Sequence, residues 1–443
     1  LSSLPANRVN ELAPSGHTLP RGWQAYALFG LLPIWWLLGF SMFMWPIIVL
    51  PLLGSMVLGR WKVLAPRRFG VFMLMIGWMI ASGFEVHGGQ RLLAWSWRLS
   101  FFICGAILFL FIYNIPRRRL PTRSITNALG FYWVIVVIGG WFGVIAPNTQ
   151  IKSFAEMVLP SSVVHNQYVY SHVHLQFAEV QHFLGFPIGR PETFFAYTNA
   201  WGSAFAILTP FAIASLTTTR NRAWRNILVI SMFAAIVPVV FSLNRGLWLS
   251  LGVGIMYAAV RLSANRDFRL VRGIVGATIC IVVLLVATPL GGLATSRFSH
   301  KTGDTGRLQR DQAATQQVLA HPVLGYGAPT ANTVAGQSSI GTESEVFLLV
   351  YSHGIPGIAL FFIWFAYTLF RSARFRNPDA FWAHIVILIA MIQSPYYELT
   401  ERMPLIMVAA AICYRAIADD ELPKPRFKLP SRRPAQEPQP LSV

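Results

Sequence analysis

The chain has 443 residues, of which 54% are hydrophobic and only 12% charged, and it carries a formal net charge of +19. A soluble globular protein carries about twice that share of charged residues. Apolar runs of about 17 to 25 residues recur along the chain, the length a bilayer demands of a helix, so a soluble fold is excluded and an all-α polytopic integral membrane protein is expected.

Residues 1–24 are polar and contain prolines, without the apolar core of a cleavable signal peptide, and they read as a cytoplasmic tail. Twelve apolar runs follow, near 25–40, 42–59, 69–86, 99–115, 126–146, 199–216, 226–243, 246–261, 273–291, 345–370, 380–396 and 403–417. The first two share one continuous run. With both termini inside, the inner connections include "RWKVLAPRR", "RRRLPTR", "RNRAWR", "RLSANRDFRLVR" and "RSARFR", and 26 of the 36 Lys and Arg fall on the inner side. That asymmetry is the positive-inside signal of a membrane protein. The high net charge is therefore a topology signal, and nucleic-acid binding is not implied. The transmembrane domain is expected over 25–418, followed by a Pro-rich basic tail, 419–443, that reads as a disordered arm at an anionic inner leaflet. Cys104, Cys280 and Cys413 all lie within apolar runs. They read as small buried residues and suggest neither a disulfide framework nor a metal site.

Two outer connections are long, 147–198 and 292–344. They hold aromatics, histidines and amphipathic stretches, so order is expected there, with amphipathic helices on the membrane surface. The segment "HNQYVYSHVHLQFAEVQH" (165–182) carries four histidines. On a strand His172 and His174 would share a face, but the spacing matches no strong zinc signature. An aromatic surface segment is the preferred reading, and no metal is expected.

Three outer arginines stand out. Arg190 lies in "PIGRPETFFAYTNAWGSAF", shortly before Asn199. Arg245 lies in "SLNRGLWLSLGVG", in a tight turn beside Gly246, where a backbone can approach a ligand closely. Arg307 lies with Arg310 in "TGDTGRLQRDQAATQQVLAHPVLGYGAP". That stretch reads as an amphipathic helix ending at His321-Pro322, with a bend through Gly325, Tyr326, Gly327 and Pro329. Each arginine alone could be a snorkelling anchor. Several at one membrane surface suggest a lipid phosphate or diphosphate, which suits arginine's planar, permanently charged fork. Glu85 and His87, and Glu398, Glu401 and Arg402, are further candidates to line the same cavity.

The stretch "TESEVFLLVYSHGIPG" (342–357) opens the tenth run. Thr342-x-x-Glu345 fits a capping box, with Thr342 at the N-cap and Glu345 at N3. Glu343 would then sit at N1, free to face a substrate, where the positive helix end favours its ionised form. His353 would lie about 15 Å further along the axis. Pro356, Gly354 and Gly357 predict a hinge or packing kink within the span.

"NRGLWLSLGVG", the outer "GR…HPVLGYG" segment and the acid leading into "VFLLVYSHGIPGIALFFIWF" together resemble the shared core of the O-antigen ligase and O-antigen polymerase superfamily, over about 190–370. The segment "GRPETFFAYTNAWGSAFAILTP" is similar to that family's upstream Arg/Asn segment. The resemblance implies a GT-C-like glycosyltransferase of the bacterial inner (plasma) membrane. Such an enzyme moves a glycan from a polyprenyl-diphosphate-linked donor to a glycan or lipid-glycan acceptor on the extracytoplasmic face. It inverts the linkage and needs no cofactor, nucleotide sugar or metal. The resemblance carries over Arg190, Arg245 and Arg307 as diphosphate contacts. Asn199, Arg310, His321 and Tyr326 are the further substrate-binding candidates.

Many members have His-Asn where this chain has Glu343-Ser344, so for Glu343 the resemblance gives only the position. Its role is argued from chemistry. A carboxylate can take the proton of an acceptor hydroxyl, and one base suffices for a single inverting step with a good leaving group. Arg245 and Arg307 would stabilise the charge that grows on the diphosphate. Asp304 and Asp311 form no compact acidic metal motif. Three alternatives are a transporter or flippase of lipid-linked glycans, a peptidoglycan-type polymerase and a structural scaffold. A transporter would show internal repeats and broken helices at mid-membrane.

Overall fold

In the computed structural model the described residues are 23–41, 43–164, 167–183, 186–287, 291–292, 317–330, 344–374 and 377–421. Each of the twelve apolar runs holds helix. The first contains α1 (Trp23–Gly30) and α2 (Leu32–Leu37), followed by α3 (Met44–Leu58), α4 (Phe69–Ala81), α5 (Gly89–Asn114) and α6 (Thr122–Ile145). Next come β1 (Gln150–Lys152), the short helices α7 (Phe154–Val158), α8 (Ser161–Val164) and α9 (Gln167–Val173), and then β2 (His174–Gln176), β3 (Ala178–Phe183) and β4 (Phe186–Pro191). The remaining helices are α10 (Thr198–Thr218), α11 (Arg222–Ala234), α12 (Ile236–Phe241), α13 (Arg245–Ala264), α14 (Phe268–Ala287), α15 (Glu345–Ser372), α16 (Pro378–Gln393) and α17 (Met403–Glu421).

Among the described residues, six helices are long and apolar enough to cross a membrane: α5, α6, α10, the continuous pair α11–α12, α13 and α15. They are apolar nearly all round, as helices in lipid or in a bundle core must be. Ile230, Met256, Val260, Ile363 and Phe370 turn large apolar side chains outward, where only lipid would cover them. The chain is a helical membrane protein. Its core is a continuous apolar cluster in which α10 packs on α6 and α16, and α17 packs on α5 and α16.

Helix ends follow local chemistry. Asn221, Asn244, Ser344 and Asn377 each cap a helix, their side-chain oxygens accepting a backbone N–H of the first turn. Arg415 of α17 lies against the end of α5 and donates to the carbonyls of Ile112, Ile115 and Leu120 at 2.7, 2.9 and 2.9 Å. The carbonyls of Ile112 and Ile115 stand at the C-terminus of α5, where the helix supplies no donor, and that of Leu120 lies in the connection to α6.

The first long connection corrects the expectation of amphipathic helices alone. It carries four short strands in two antiparallel pairs, β1 with β2 and β3 with β4. The segments are only three to six residues long, too short for period-two patterning to stand out. The β3–β4 register sets Glu179 opposite Arg190, an opposite-charge cross-strand pair. The described residues of the second long connection begin with a helical turn at 317–320.

The connections divide into two groups by contact. Residues of 82–98, 172–198, 242–246 and 394–402 meet one another at one end of the bundle. At the other end Asn114 bonds Leu64, Arg117 pairs with Asp419 and Arg374 pairs with Asp420. This grouping is the one the charge pattern assigns to outer and inner sides.

Candidate functional site

Arg190 ends the β3–β4 hairpin and is only 8% exposed. Its Nε donates to the Ser242 carbonyl at 2.8 Å, and its Nη1 lies 3.7 Å from the Glu179 carboxylate. Burial pushes its pKa down, while Glu179, Tyr397 and Glu192 oppose that effect. Neighbouring Glu192 is buried, and burial, then Glu179, raise its carboxyl to about 8 against the pull of Arg190. The Thr198 hydroxyl donates to the Arg190 carbonyl at 3.0 Å and ties the strand to the start of α10.

Ser242 begins the turn that carries Arg245. Leu243 adopts a positive φ of 50°, an uncommon conformation for a bulky residue, so the turn is held by its surroundings. Asn244 is 3% exposed and supplies much of that hold. Its Oδ1 caps α13 at Leu247 N and accepts the Tyr397 hydroxyl, and its Nδ2 donates to Asn199 Oδ1 at 3.4 Å. Arg245 follows as the first residue of α13 and is half-buried. The close approach expected at Gly246 is made by the Tyr397 ring, whose hydroxyl occupies the space a Cβ would need. Beneath the turn a buried polar chain joins three helices. Ser203 donates to Gln393 Oε1 at 2.8 Å, and Gln393 Nε2 donates to Ser250 at 3.1 Å.

The start of α15 corrects the capping assignment. Ser344 is the N-cap, with extended backbone and its Oγ accepting Phe347 N at 3.3 Å. Glu345 is therefore the first helical residue and not N3, and it is fully buried. Its Oε2 accepts from Leu399 N at 2.7 Å and from the Thr400 hydroxyl at 3.2 Å. Glu345 has a structural task, but it serves the 3-10 turn Thr400–Arg402 before α17 and not its own helix. Its other oxygen, Oε1, is buried without a hydrogen-bond partner. Around it Arg98 pairs with Glu398 at 3.3 Å, and Glu401 lies between Arg402 at 3.0 Å and His172 at 3.6 Å.

The kink in "SHGIPG" is a socket. Gly354 has φ 66° and ψ −173°, which breaks α15 into two rods. Pro356 has no N–H, so the Ser352 carbonyl loses its helical donor. Gly327 N fills that role at 2.7 Å, and Tyr326 N reaches the Tyr351 carbonyl at 2.9 Å. In return Ile355 N donates to the Pro322 carbonyl at 2.8 Å. The bend "HPVLGYG" is thus plugged into α15 through its backbone. Arg91 fastens it from α5, its Nη2 donating to Tyr326 and Ala328 carbonyls at 2.5 and 3.1 Å. His353 packs below, its Nδ1 2.6 Å from the Ser82 hydroxyl. The expected packing kink is present, centred on Gly354.

The fold brings Arg190, Asn199 and Arg245 to one turn. His321 and Tyr326 lie instead against the α15 kink, where the Tyr326 ring stacks on Tyr351 at 4.9 Å. Glu343, Arg307 and Arg310 lie outside the described residues, as does Thr342. Sequence reasoning missed Asn244, Tyr397 and Arg91. Asn244 was visible as a cap-forming residue before an apolar run; Tyr397 and Arg91 act through partners far away in the chain. His172 closes α9 and His174 opens β2, where His174 Nδ1 is 3.1 Å from Glu156. Among the described residues no group of three or more His, Cys, Asp or Glu could hold a metal ion.

Residues 227–362 match the family model described as O-antigen ligase. No curated protein and no solved structure matches the chain. The matched segment contains the Asn244–Arg245 turn, the positions of Arg307 and Glu343, the HPVLGYG plug and the α15 socket, whereas Arg190 and Asn199 precede it. Over that segment, somewhat under a third of its length, the chain is similar to the O-antigen ligase family.

Proposed function

We propose that the protein is an inverting, metal-independent glycosyltransferase. It would move a glycan from a polyprenyl-diphosphate-linked donor to a glycan or lipid-glycan acceptor. The chain would cross the bacterial inner membrane twelve times with both termini in the cytoplasm, and the site would open to the extracytoplasmic face. Arg190, Arg245 and Arg307 clamp the diphosphate and stabilise the charge that develops as it leaves. Glu343 accepts the proton of the attacking hydroxyl, and Asn199, Arg310, His321 and Tyr326 complete the substrate contacts.

The observation that carries this reading is the bond from Arg190 to Ser242 at 2.8 Å. It ties an arginine from outside the family match to the turn that leads into Arg245, so the two positions share one turn although 55 residues separate them in the chain. Convergent arginines suit a diphosphate better than isolated interfacial anchors do. The discriminating experiment reconstitutes the protein with a defined lipid-linked glycan. Formation of new glycosidic bonds supports the enzyme; relocation of unchanged lipid-linked glycan supports a flippase instead. Mass spectrometry of polysaccharide from a deletion strain then separates the subclasses. Loss of chain length marks a polymerase, and loss of attachment marks a ligase.

A further inference from the structure

Arg402 ends the last outer turn and is only 5% exposed. Its fork is half used. Nη1 meets Glu401 at 3.0 Å, while Nη2 is buried with no hydrogen-bond partner. A buried charged donor without an acceptor is costly, and native proteins rarely keep one without a reason. Nearby is a narrow cleft lined by Arg402 and Glu401 and by Ser41, Trp45, Tyr132, Phe194, Ala196 and Leu405. It runs from the outer turns, where Ser41 and Ala196 lie, toward Tyr132 and Leu405 inside the bundle. Most of this wall is apolar, and the charged groups sit together on one side.

Glu401 does not fill the vacancy. Burial would raise its carboxyl, but Arg402, then His172 and Arg98, hold it below its ordinary value. Its charge is spread over Arg402, His172 and Arg98, and among the described residues none accepts from Arg402 Nη2. The cleft is also distinct from the Arg190–Arg245 turn. Arg190 reaches toward α12, β3 and Tyr397, whereas the cleft is walled by α2, α3, α6, α10 and α17.

We propose that this cleft is a second binding site, in which Arg402 Nη2 receives a phosphoryl or carboxyl oxygen of an anionic amphiphile whose apolar stem lies along Trp45, Phe194 and Leu405. The chemistry of the donor set selects the class. A guanidinium with an unpartnered N–H on the wall of a mostly apolar cleft calls for an anionic oxygen on an apolar stem. The proposal is independent of the reading of the Arg190–Arg245 site.

The test uses the full chain in a neutral detergent. Native mass spectrometry measures binding of dioleoyl phosphatidate and of dioleoylglycerol, which lacks the phosphate. Thermal shift against inorganic phosphate runs in parallel. Phosphatidate is expected to bind and dioleoylglycerol not to. Arg402→Gln should weaken phosphatidate at least tenfold, and Arg402→Lys, which keeps the charge but not the fork, should fall between. Should Arg402→Gln fail to fold, Ala196→Trp narrows the mouth without touching the ion pair and should give the same loss. If phosphatidate alone binds, the ligand is a lipid headgroup; if inorganic phosphate also binds and competes in an Arg402-dependent way, the free anion suffices. The proposal is overturned if phosphatidate binds no better than dioleoylglycerol, or if either folded variant, Arg402→Gln or Ala196→Trp, binds phosphatidate within twofold of the parent chain.

Discussion

Two buried arginines stand at the two ends of the last helix. Arg415, 1% exposed, gives its fork to three backbone carbonyls and to the Thr122 hydroxyl. Arg402, 5% exposed, leaves Nη2 unused beside a cleft. Arg415 lies within the last apolar run and Arg402 immediately before it. The difference is in their surroundings: Arg415 meets the C-terminal carbonyls of α5, which need donors, whereas Arg402 meets one carboxylate that it shares. Each guanidinium nitrogen of Arg415 has an acceptor, whereas Arg402 keeps one that has none. Buried polar atoms without a hydrogen-bond partner occur at both bundle ends, Arg261 Nη1 and Asp379 Oδ1 at one and Glu345 Oε1 and Arg402 Nη2 at the other.

The largest expected effect follows from breaking the Arg415 contacts. Arg415→Leu strands the carbonyls of Ile112, Ile115 and Leu120 and should cost about 3 kcal/mol. It should appear as a clear fall in melting temperature in detergent, with Arg415→Lys intermediate. Arg402→Gln should cost much less stability, because its fork is only half engaged. An equal loss at both positions would erase the distinction. Next in size is the plug. Gly354→Ala places a Cβ against the Val323 carbonyl at a φ of 66°. It should cost about 2 kcal/mol and expose 317–330 to limited proteolysis. Arg91→Ala should do the same more weakly.

A further effect is a pH dependence. The Glu192 carboxyl is raised to about 8 in the fold, above its ordinary value of 4.5. The folded state therefore holds a proton the unfolded chain releases. That contribution is complete below pH 4.5 and is lost as pH rises through about 8. Glu192→Gln should flatten the fall in melting temperature over that window, and an unchanged profile would remove Glu192 as its source.

The contrast also explains what the sequence could reveal. Helices were legible because each apolar run had to satisfy its backbone internally, a local demand. The Gly354 kink was legible because Gly and Pro act on their own turn. The helix start at Ser344 was not: Thr342-x-x-Glu345 fits a capping box, but Glu345 is bound by Leu399 and Thr400 in a turn more than fifty residues on. The plug escaped notice for the same reason, since HPVLGYG and SHGIPG each read as bends and only the fold mates them. Short strands such as β1 and β2 pair across 22 residues or more and leave little periodic signal. Arg190 and Arg245 were each singled out in the sequence, but the bond that ties Arg190 to the Ser242 turn belongs to the fold alone.

The central claim is that the outer arginine turn transfers glycan from a diphosphate carrier. Its most direct test measures glycosidic bond formation by Arg245→Ala and Glu343→Gln proteins with a defined polyprenyl-diphosphate-linked donor, using Arg415→Lys as the structural control. The account predicts at least a hundredfold loss in the first two, with the control retaining transfer per folded molecule. Intact transfer in both Arg245→Ala and Glu343→Gln would contradict it.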